Sequence, residues 1–139
     1  VVQIASQNGA EVILAGHTPT GKDLMPHVAA KMNVGLASDC TQVSISGANV
    51  TARRPVYAGK ATAEVEFLGS GPKVLTVRAN SIGIPKPDTS KSAEASAISV
   101  DLGQTKTKVI EIIKGAMGRP DVTEAAIVIS GGRSLKSAE

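Results

Sequence analysis

Short apolar runs separated by turn-forming residues follow one another along the chain, and their periodicity predicts its elements. The first nine residues have the form of the end of a helix that closes at Gly9. Residues 11–16 are an apolar run of strand length. A helix is predicted after them, and a strand, a turn and a helix in this order open a βαβ unit. This part of the chain therefore predicts a parallel sheet.

The predicted helix covers residues 23–32, where Leu24, Val28 and Met32 recur at helical spacing. Asp23 is a suitable N-cap, because its carboxylate can accept a hydrogen bond from a free backbone N–H of the first turn. That start places Pro26 in the first turn, where a missing N–H is tolerated.

Residues 41–68 change to a period of two, which is typical of strands with one buried face. Turn clusters at residues 47–49 and 69–72 end these strands, and they predict antiparallel hairpins. Residues 73–78 are apolar at nearly every position. We therefore expect a central strand there, covered on both faces.

The last part of the chain is less regular. Residues 80–97 have the composition of a loop, which we expect to be mobile or to lie against a partner. Two strands are predicted at residues 98–102 and 106–113. Residues 115–124 then lead to a last strand at residues 125–129.

These elements predict an α/β protein, a Rossmann-like layered domain with a mostly parallel sheet plus antiparallel hairpin strands. A chain of 139 residues, 42% hydrophobic and 19% charged, can bury a core of its own. Because Tyr57 and Phe67 are its only aromatic residues, that core consists of Val, Ile, Leu and Ala. No apolar run approaches the thickness of a bilayer, so we expect no membrane insertion.

Charge and cysteine content exclude several classes of function. The net charge of +3 is spread without a block of one sign, and the chain lacks aromatic platforms for bases, so no nucleic-acid partner is expected. Cys40 is the single cysteine, which excludes an internal disulfide. We interpret it as a small buried residue, with a nucleophilic thiol as the alternative. His17 and His27 lack the neighbours that a metal site requires, so none is predicted.

Residues 16–23 reproduce the phosphate-loop spacing G-x-x-x-x-G-K after a strand and before a helix. The position after Lys22 is Asp23, where a phosphate loop needs Ser or Thr to hold Mg²⁺. A carboxylate there competes with a bound phosphate at the helix N-terminus. A tight glycine turn before a capped helix is our interpretation, and a nucleotide-binding protein that uses this loop remains the alternative.

Gly131, Gly132 and Arg133 follow the last predicted strand. Two glycines let a ligand approach the backbone, and a guanidinium just beyond them can present a fixed cation to an anionic or electron-rich group. An ordinary strand-to-helix turn with an exposed arginine is the alternative. No catalytic residue is predicted.

Several motifs of the chain resemble the alpha subunit of electron-transfer flavoprotein, and they keep that family's order and spacing. The similar stretches are Thr20-Gly21-Lys22-Asp23-Leu24-Met25-Pro26-His27-Val28-Ala29-Ala30, Ser38-Asp39-Cys40-Thr41, Arg54-Pro55-Val56-Tyr57-Ala58-Gly59, Thr76-Val77-Arg78, Arg119-Pro120-Asp121 and Ser130-Gly131-Gly132-Arg133-Ser134-Leu135-Lys136. His27 departs from the pattern, because the family usually has Arg there.

The resemblance implies a heterodimeric electron carrier, not an enzyme. It takes electrons from acyl-CoA dehydrogenases and related donors and passes them to a quinone oxidoreductase or another acceptor. The partner is the beta subunit, and the intact protein holds FAD. Residues 1–129 then correspond to the N-terminal α/β domain, incomplete at its start, and residues 130–139 to the start of the FAD-binding domain. Arg133, with Gly131 and Gly132, is the part of the flavin site that the resemblance carries over.

The chain begins without Met and in the middle of an element, so we interpret it as a piece of a longer polypeptide. We expect no flavin on this piece alone, and we expect it to associate through its open sheet edges. The predicted location is the bacterial cytoplasm or, in a eukaryote, the mitochondrial matrix.

Overall fold

Two helices and six strands occupy the first 77 residues of the chain. They are α1 (Val2–Gln7), β1 (Val12–Gly16), α2 (Pro19–Met32), β2 (Leu36–Cys40), β3 (Gln42–Ser46), β4 (Asn49–Val56), β5 (Ala61–Glu66) and β6 (Lys73–Val77). A short 3₁₀ turn follows much later at Arg133–Leu135. The structure is a computed structural model that describes residues 1–47, 49–113, 122 and 125–136.

The parallel sheet has the order β1-β6-β2, so the last of its strands in the sequence is the central one. Val74, Leu75 and Thr76 of β6 are all at most 1% exposed. A strand that is apolar on both faces requires cover on both sides, and the middle of a layered sheet provides it. The prediction of a central strand at residues 73–78 is confirmed.

Two apolar cores cover the two faces of this sheet. On one face, helices α1 and α2 pack against β1 and β6; the buried residues of that core are Ala5, Ile13, Met25, Val28, Ala29 and Val74. On the other face the antiparallel sheet packs against β2 and β6; the buried residues there are Ala37, Cys40, Val50, Ala52 and Leu75. Helices, a parallel sheet and an antiparallel sheet thus form three layers, which confirms the predicted layered α/β class.

The antiparallel sheet has the order β3-β4-β5. The turn at residues 47–49 joins β3 to β4 as a hairpin, as predicted, with residue 48 outside the described residues. The turn at residues 69–72 does not form a hairpin, because it leads from β5 into β6 of the other sheet. That prediction was wrong because an apolar strand gains more burial in the centre of the parallel sheet than at an edge of this one.

Helix α2 begins earlier than predicted, at Pro19, and its N-cap is Thr18, not Asp23. The Thr18 hydroxyl accepts a hydrogen bond from the Gly21 N–H at 3.2 Å, and proline is favoured at the first helical position because its φ is already helical. Pro26 consequently lies inside the helix. The buried face of α2 also differs from the prediction, since Leu24 is 41% exposed whereas Met25 is 2% exposed.

The strands predicted at residues 98–102, 106–113 and 125–129 are not strands in the structure. Apolar periodicity assigns a face to a segment, but a strand also needs a neighbouring strand to accept its backbone hydrogen bonds. Ile110, Ile127 and Ile129 are 82–95% exposed. The linker at residues 115–124 lies outside the described residues, apart from residue 122.

The chain divides into two compact units, Val1–Asp101 and Leu102–Glu139. The first contains every buried apolar residue that the structure describes. In the described part of the second, the 3₁₀ turn is the one regular element. The boundary predicted at residue 130 stays a prediction.

Candidate functional site

Polar side chains meet at the carboxyl edge of the parallel sheet. His17 directly follows β1, Asp39 lies near the end of β2, Thr76 is in β6 and Arg78 follows that strand. All three strands are parallel, so their carboxyl ends share one edge of the sheet. In open α/β sheets this is the edge at which ligands bind. We call these four residues the carboxyl-edge cluster.

The backbone of β2 places Asp39 in the cluster. Pairing between β2 and β6 is irregular between Ala37 and Cys40, and Asp39 has a φ of 60°. Asp is among the residues that adopt this left-handed conformation most readily. The Asp39 N–H consequently leaves the ladder and donates to Thr76 Oγ1 at 3.0 Å. Such irregularities redirect a side chain, and here the redirected group is the Asp39 carboxylate.

Arg78 holds the Asp39 carboxylate with two hydrogen bonds. Its Nε donates to Oδ1 at 2.9 Å and its Nη2 donates to Oδ2 at 2.7 Å. This paired geometry is the strong form of the arginine–carboxylate interaction. The Arg78 hydrogen bond is the main reason that the pKa of Asp39 lies below its ordinary value.

His17 joins the cluster through the buried Thr76 hydroxyl, which lies 2.9 Å from Nδ1. Thr76 is 1% exposed and already accepts from Asp39, so its own hydrogen requires an acceptor, which Nδ1 provides. Nε2 then carries the proton and faces Asp39 Oδ1 at 3.7 Å. Burial lowers the pKa of His17 more than Asp39 raises it, so the ring is neutral at pH 7.

The loop at residues 16–23 does not have the geometry of a phosphate loop. Helix α2 starts at Pro19, so Gly21 and Lys22 lie within the helix and not in a loop before it. A Cβ at Gly21 would overlap the carbonyl oxygen of Gly16, which means that strand and helix already touch there. Helix α2 occupies the part of the motif that forms the phosphate-binding loop in a phosphate-loop protein, so this geometry argues against the alternative function.

Arg133 opens the 3₁₀ turn, and its side chain is exposed. Gly132 before it is extended, with φ −71° and ψ 155°, and Leu135 N–H donates to its carbonyl oxygen at 3.0 Å. A Cβ at Gly131 would lie 2.8 Å from Leu135 Cδ1. Neither glycine has a positive φ, and the close atom at Gly131 is the end of a flexible side chain, so the backbone conformation does not by itself require glycine here. Among the described residues, no ion pair engages Arg133.

Cys40 is fully buried, as the sequence interpretation expects, and its thiol donates to the Ala37 carbonyl oxygen at 3.4 Å. Burial raises the pKa of the thiol, which opposes formation of a thiolate nucleophile. His27 is exposed on α2. The described residues contain no group of three or more metal-ligating side chains.

Sequence reasoning missed the carboxyl-edge cluster, although two of the motifs quoted above contain its members. Asp39 and Arg78 lie 39 positions apart, and neither sits in a pattern that by itself indicates chemistry. The usable signal is that polar residues at the ends of predicted parallel strands must share an edge. To use this signal, one must first predict β2, and the apolar periodicity of the sequence does not predict that strand.

A family model described as "Electron transfer flavoprotein domain" matches residues 1–102. The chain belongs to the electron transfer flavoprotein family. It is 38% identical over 137 residues to electron transfer flavoprotein subunit alpha of Bacillus subtilis (strain 168), which covers 98% of the chain. It is also 33% identical over 143 residues to the mitochondrial alpha subunit of Arabidopsis thaliana, and 32% identical over 145 residues to protein FixB of Clostridium saccharobutylicum.

The chain spans about two fifths of the length of these relatives: 42% of the Bacillus protein, 39% of the Arabidopsis protein and 42% of the Clostridium protein. The matches confirm the resemblance seen in the sequence motifs. No helix in the described part of the chain is long and apolar enough to cross a membrane.

Proposed function

We propose that this chain is the scaffold and docking part of the alpha subunit of an electron transfer flavoprotein. The observation that carries the proposal is the family match over residues 1–102, with alignments to named alpha subunits over 98% of the chain. The intact protein then accepts electrons from acyl-CoA dehydrogenases and related donors and passes them to a quinone oxidoreductase or another acceptor. Its partner in the heterodimer is the beta subunit.

The chemistry of the carboxyl-edge cluster supports a carrier scaffold over an enzyme. Asp39 is engaged by both nitrogens of the Arg78 fork, so its carboxylate is not free to act as a general base. Burial disfavours the thiolate of Cys40. These groups hold β1, β2 and β6 together at one edge, which is a structural role.

Arg133 is the residue that we propose for the flavin. It is exposed, it has no ion-pair partner among the described residues, and glycines precede it, so a planar ring system can approach closely. FAD, when bound, supplies the redox chemistry by accepting and releasing electrons. A nearby guanidinium stabilises the negative charge that reduction adds, and this raises the reduction potential.

The test uses the intact parent protein, produced together with its beta subunit. We expect Arg133→Ala to lower the flavin reduction potential and to weaken FAD retention. The lost interaction is on the order of 1 to 4 kcal/mol for charges about 4 Å apart. Arg133→Lys should restore part of the effect, because a point charge replaces a planar fork. Lys108→Ala removes an exposed cation from the same unit and serves as the matched control.

Potentiometric titration and the flavin-to-protein ratio decide the outcome. If Arg133→Ala keeps the wild-type potential and cofactor, Arg133 is an exposed turn residue and the site is elsewhere. If the parent purifies with the beta subunit but never with flavin, the carrier function itself is wrong.

We also propose that this chain alone binds no flavin, and a flavin absorption band in the purified chain would contradict that. Bacterial cytoplasm or mitochondrial matrix stays the predicted location.

A further inference from the structure

The hairpin formed by β4 and β5 extends beyond the rest of its sheet. Strand β3 pairs with β4 only from Asn49 to Arg53, whereas β5 continues to pair with β4 as far as Val56. Residues 54–63 therefore form a two-stranded projection, which we call the hairpin arm. Residues 57–60 join its two strands, and all four of them are exposed. We call these four residues the tip.

The tip has a backbone conformation that its residues do not favour. Tyr57 and Ala58 have φ values of 52° and 54°, and Gly59 follows with 85°. The turn is closed by two hydrogen bonds, from Gly59 N–H to the Val56 carbonyl oxygen at 3.1 Å and from Lys60 N–H to that of Tyr57 at 3.2 Å. Hairpin turns with positive φ usually carry Asn, Asp or Gly at these positions. A bulky residue such as Tyr57 is an outlier there.

The strained Tyr57 has no packing role in the folded chain that would explain it. Its side chain is 81% exposed, and within the described part of the chain no hydrogen bond or ion pair engages it. Strained residues persist mainly where function requires them. An exposed tyrosine on a closed turn is suited to protein recognition, because its ring buries a large area on binding and loses few rotatable bonds.

Pro55 protects one edge of the hairpin arm. The Arg53 carbonyl oxygen accepts from the Thr41 N–H at 2.8 Å, so the backbone groups of Arg53 face the β3 side. Alternate residues of a strand share one edge, which places the backbone nitrogen of Pro55 on the same side, beyond the end of β3. Proline has no N–H to donate, so an added strand cannot continue the ladder there. A partner on this side must recognise side chains instead.

The charge of the hairpin arm disfavours a second copy of this chain as its partner. Residues 54–63 include Arg54 and Lys60 but no acidic residue, and the whole chain has a net charge of +3. Glu64, just beyond the arm, is already paired with Arg53. Two tips brought together would place like charges side by side. One tyrosine is also too few for a platform on which successive bases stack. The tip instead suits a protein surface with an apolar socket bordered by carboxylates.

We propose that Tyr57 of the tip binds in an apolar, carboxylate-bordered socket on the beta subunit. This inference rests on the proposed function, which supplies the beta subunit as the permanent partner. A lasting interface has an apolar core in which aromatic side chains are enriched, and this matches the tip better than a transient contact does. The closed turn holds the ring in place before binding, so little conformational freedom is lost when the socket covers it.

The experiment measures the Kd of the intact parent chain for its beta subunit. We expect Tyr57→Asn to raise the Kd roughly tenfold or more, because it removes the aromatic anchor. Tyr57→Phe retains the ring and should stay close to the wild type. Leu68→Asn is the matched control, since it replaces another exposed apolar side chain, 97% exposed, beyond the other end of β5. It should bind like the wild type. Lys60→Gln should slow association at low salt and have less effect at high salt.

The stability of the free chain provides a second measurement. Asn adopts a positive φ more readily than Tyr does, so Tyr57→Asn should unfold at a higher urea concentration than the wild type while it binds more weakly. A residue with a purely structural role would lose stability and affinity together. A Tyr57→Asn chain that unfolds more easily than the wild type therefore overturns the proposal.

The remaining outcomes separate this inference from the proposed function. If the wild-type parent binds the beta subunit and Tyr57→Asn binds it equally well, the inference is wrong and the carrier function stands. If the wild-type parent does not bind the beta subunit, the proposed function fails and the inference fails with it. Self-association that requires Tyr57, measured by sedimentation, would assign the tip to a second copy and overturn the proposal. Binding of a single-stranded oligonucleotide that requires Tyr57 would overturn it as well.

Discussion

At the scale of single residues, Asp39 connects the three strands of the parallel sheet. Its N–H reaches Thr76 of β6, its carboxylate reaches Arg78 beyond β6, and it faces His17 beyond β1. The left-handed backbone at Asp39 makes these contacts possible at once. Replacement by Asn separates charge from geometry, because Asn tolerates the same backbone conformation.

We expect Asp39→Asn to remove a specific acid dependence of stability. The pKa of Asp39 is lowered in the folded state, mainly by the Arg78 hydrogen bond. Its contribution to stability is therefore complete above the unfolded pKa of 3.8 and is lost as the pH falls through the lower folded value. Urea unfolding measured between pH 2 and pH 6 should show a smaller loss of stability in acid for the variant.

Arg78→Met provides the control for that measurement, because it removes the other partner of the same pair. Both single variants and the double variant should show similar acid profiles, since the second change has nothing left to break. An acid dependence in Asp39→Asn as steep as that of the wild type would contradict the assignment. The pKa of His17 is also lowered in the folded state, so its contribution to folding stability is lost as the pH falls below the unfolded pKa of 6.5. This loss begins at a higher pH than the loss due to Asp39.

At the scale of elements, Gly21 sets how closely α2 follows β1. Two residues, His17 and Thr18, separate the strand from the helix. A side chain at Gly21 would overlap the Gly16 carbonyl oxygen. The short connection and the absent Cβ together place Val28 and Ala29 of α2 in the core.

We expect Gly21→Ala to lower the free energy of unfolding by about 2 kcal/mol, because strand and helix must separate to admit the methyl group. The higher helix propensity of Ala offsets less than about 1 kcal/mol of this. Gly35→Ala is the matched control, since nothing lies within 4 Å of the added Cβ and its φ is not positive. Urea unfolding that ranks the two variants equally would show that the overlap relaxes without cost.

How well the sequence predicted these elements depended on where their partners lie. β6 was recognisable because full burial makes a strand apolar at every position, as at Val74 and Leu75. The buried face of α2 was misjudged because Ala29 packs as closely as a larger residue, and periodicity gives small residues little weight. The N-cap was misplaced because Asp23 and Thr18 are both residue types that cap helices. The helix begins after Thr18, where Pro19 occupies the first helical position.

The candidate site was less predictable for a physical reason. The carboxyl-edge cluster is assembled from residues 17, 39, 76 and 78, and sheet pairing brings them together over long sequence separations. Strand order, which no local pattern encodes, determines which strand ends meet. Arg133 and its glycines were recognised through the family motif, and their role in binding flavin stays a prediction.

At the scale of the whole molecule, the buried core lies in the unit Val1–Asp101. The described residues after 101 include exposed apolar side chains instead, for example Ile110, Ile113 and Ile129, which are 85–95% exposed. Exposed apolar surface of this kind promotes association. The first unit therefore contributes the buried core, and the described part of the second contributes exposed apolar surface.

We expect a chain that ends at Asp101 to fold cooperatively, with an unfolding midpoint in urea close to that of the full chain. It should also associate less, because the exposed isoleucines are removed. Light scattering at several concentrations measures this, and the open edges of β1 and β2 set the association that remains. A truncated chain without a cooperative transition would show that residues 102–139 belong to the folding unit.

The central position of β6 also determines when the strands of the parallel sheet can pair during synthesis. β3, β4 and β5 are neighbours in both sequence and space, so they can pair as soon as they are synthesised. Among the described residues, β6 is the one strand that pairs with β1 and with β2. From the synthesis of Cys40 to that of Val77, at roughly 5–20 residues per second, their edges stay open for a few seconds. By the end of that interval the nascent chain carries two unpaired strands beside a complete antiparallel sheet, and we expect it to be a target for chaperones that bind extended apolar segments.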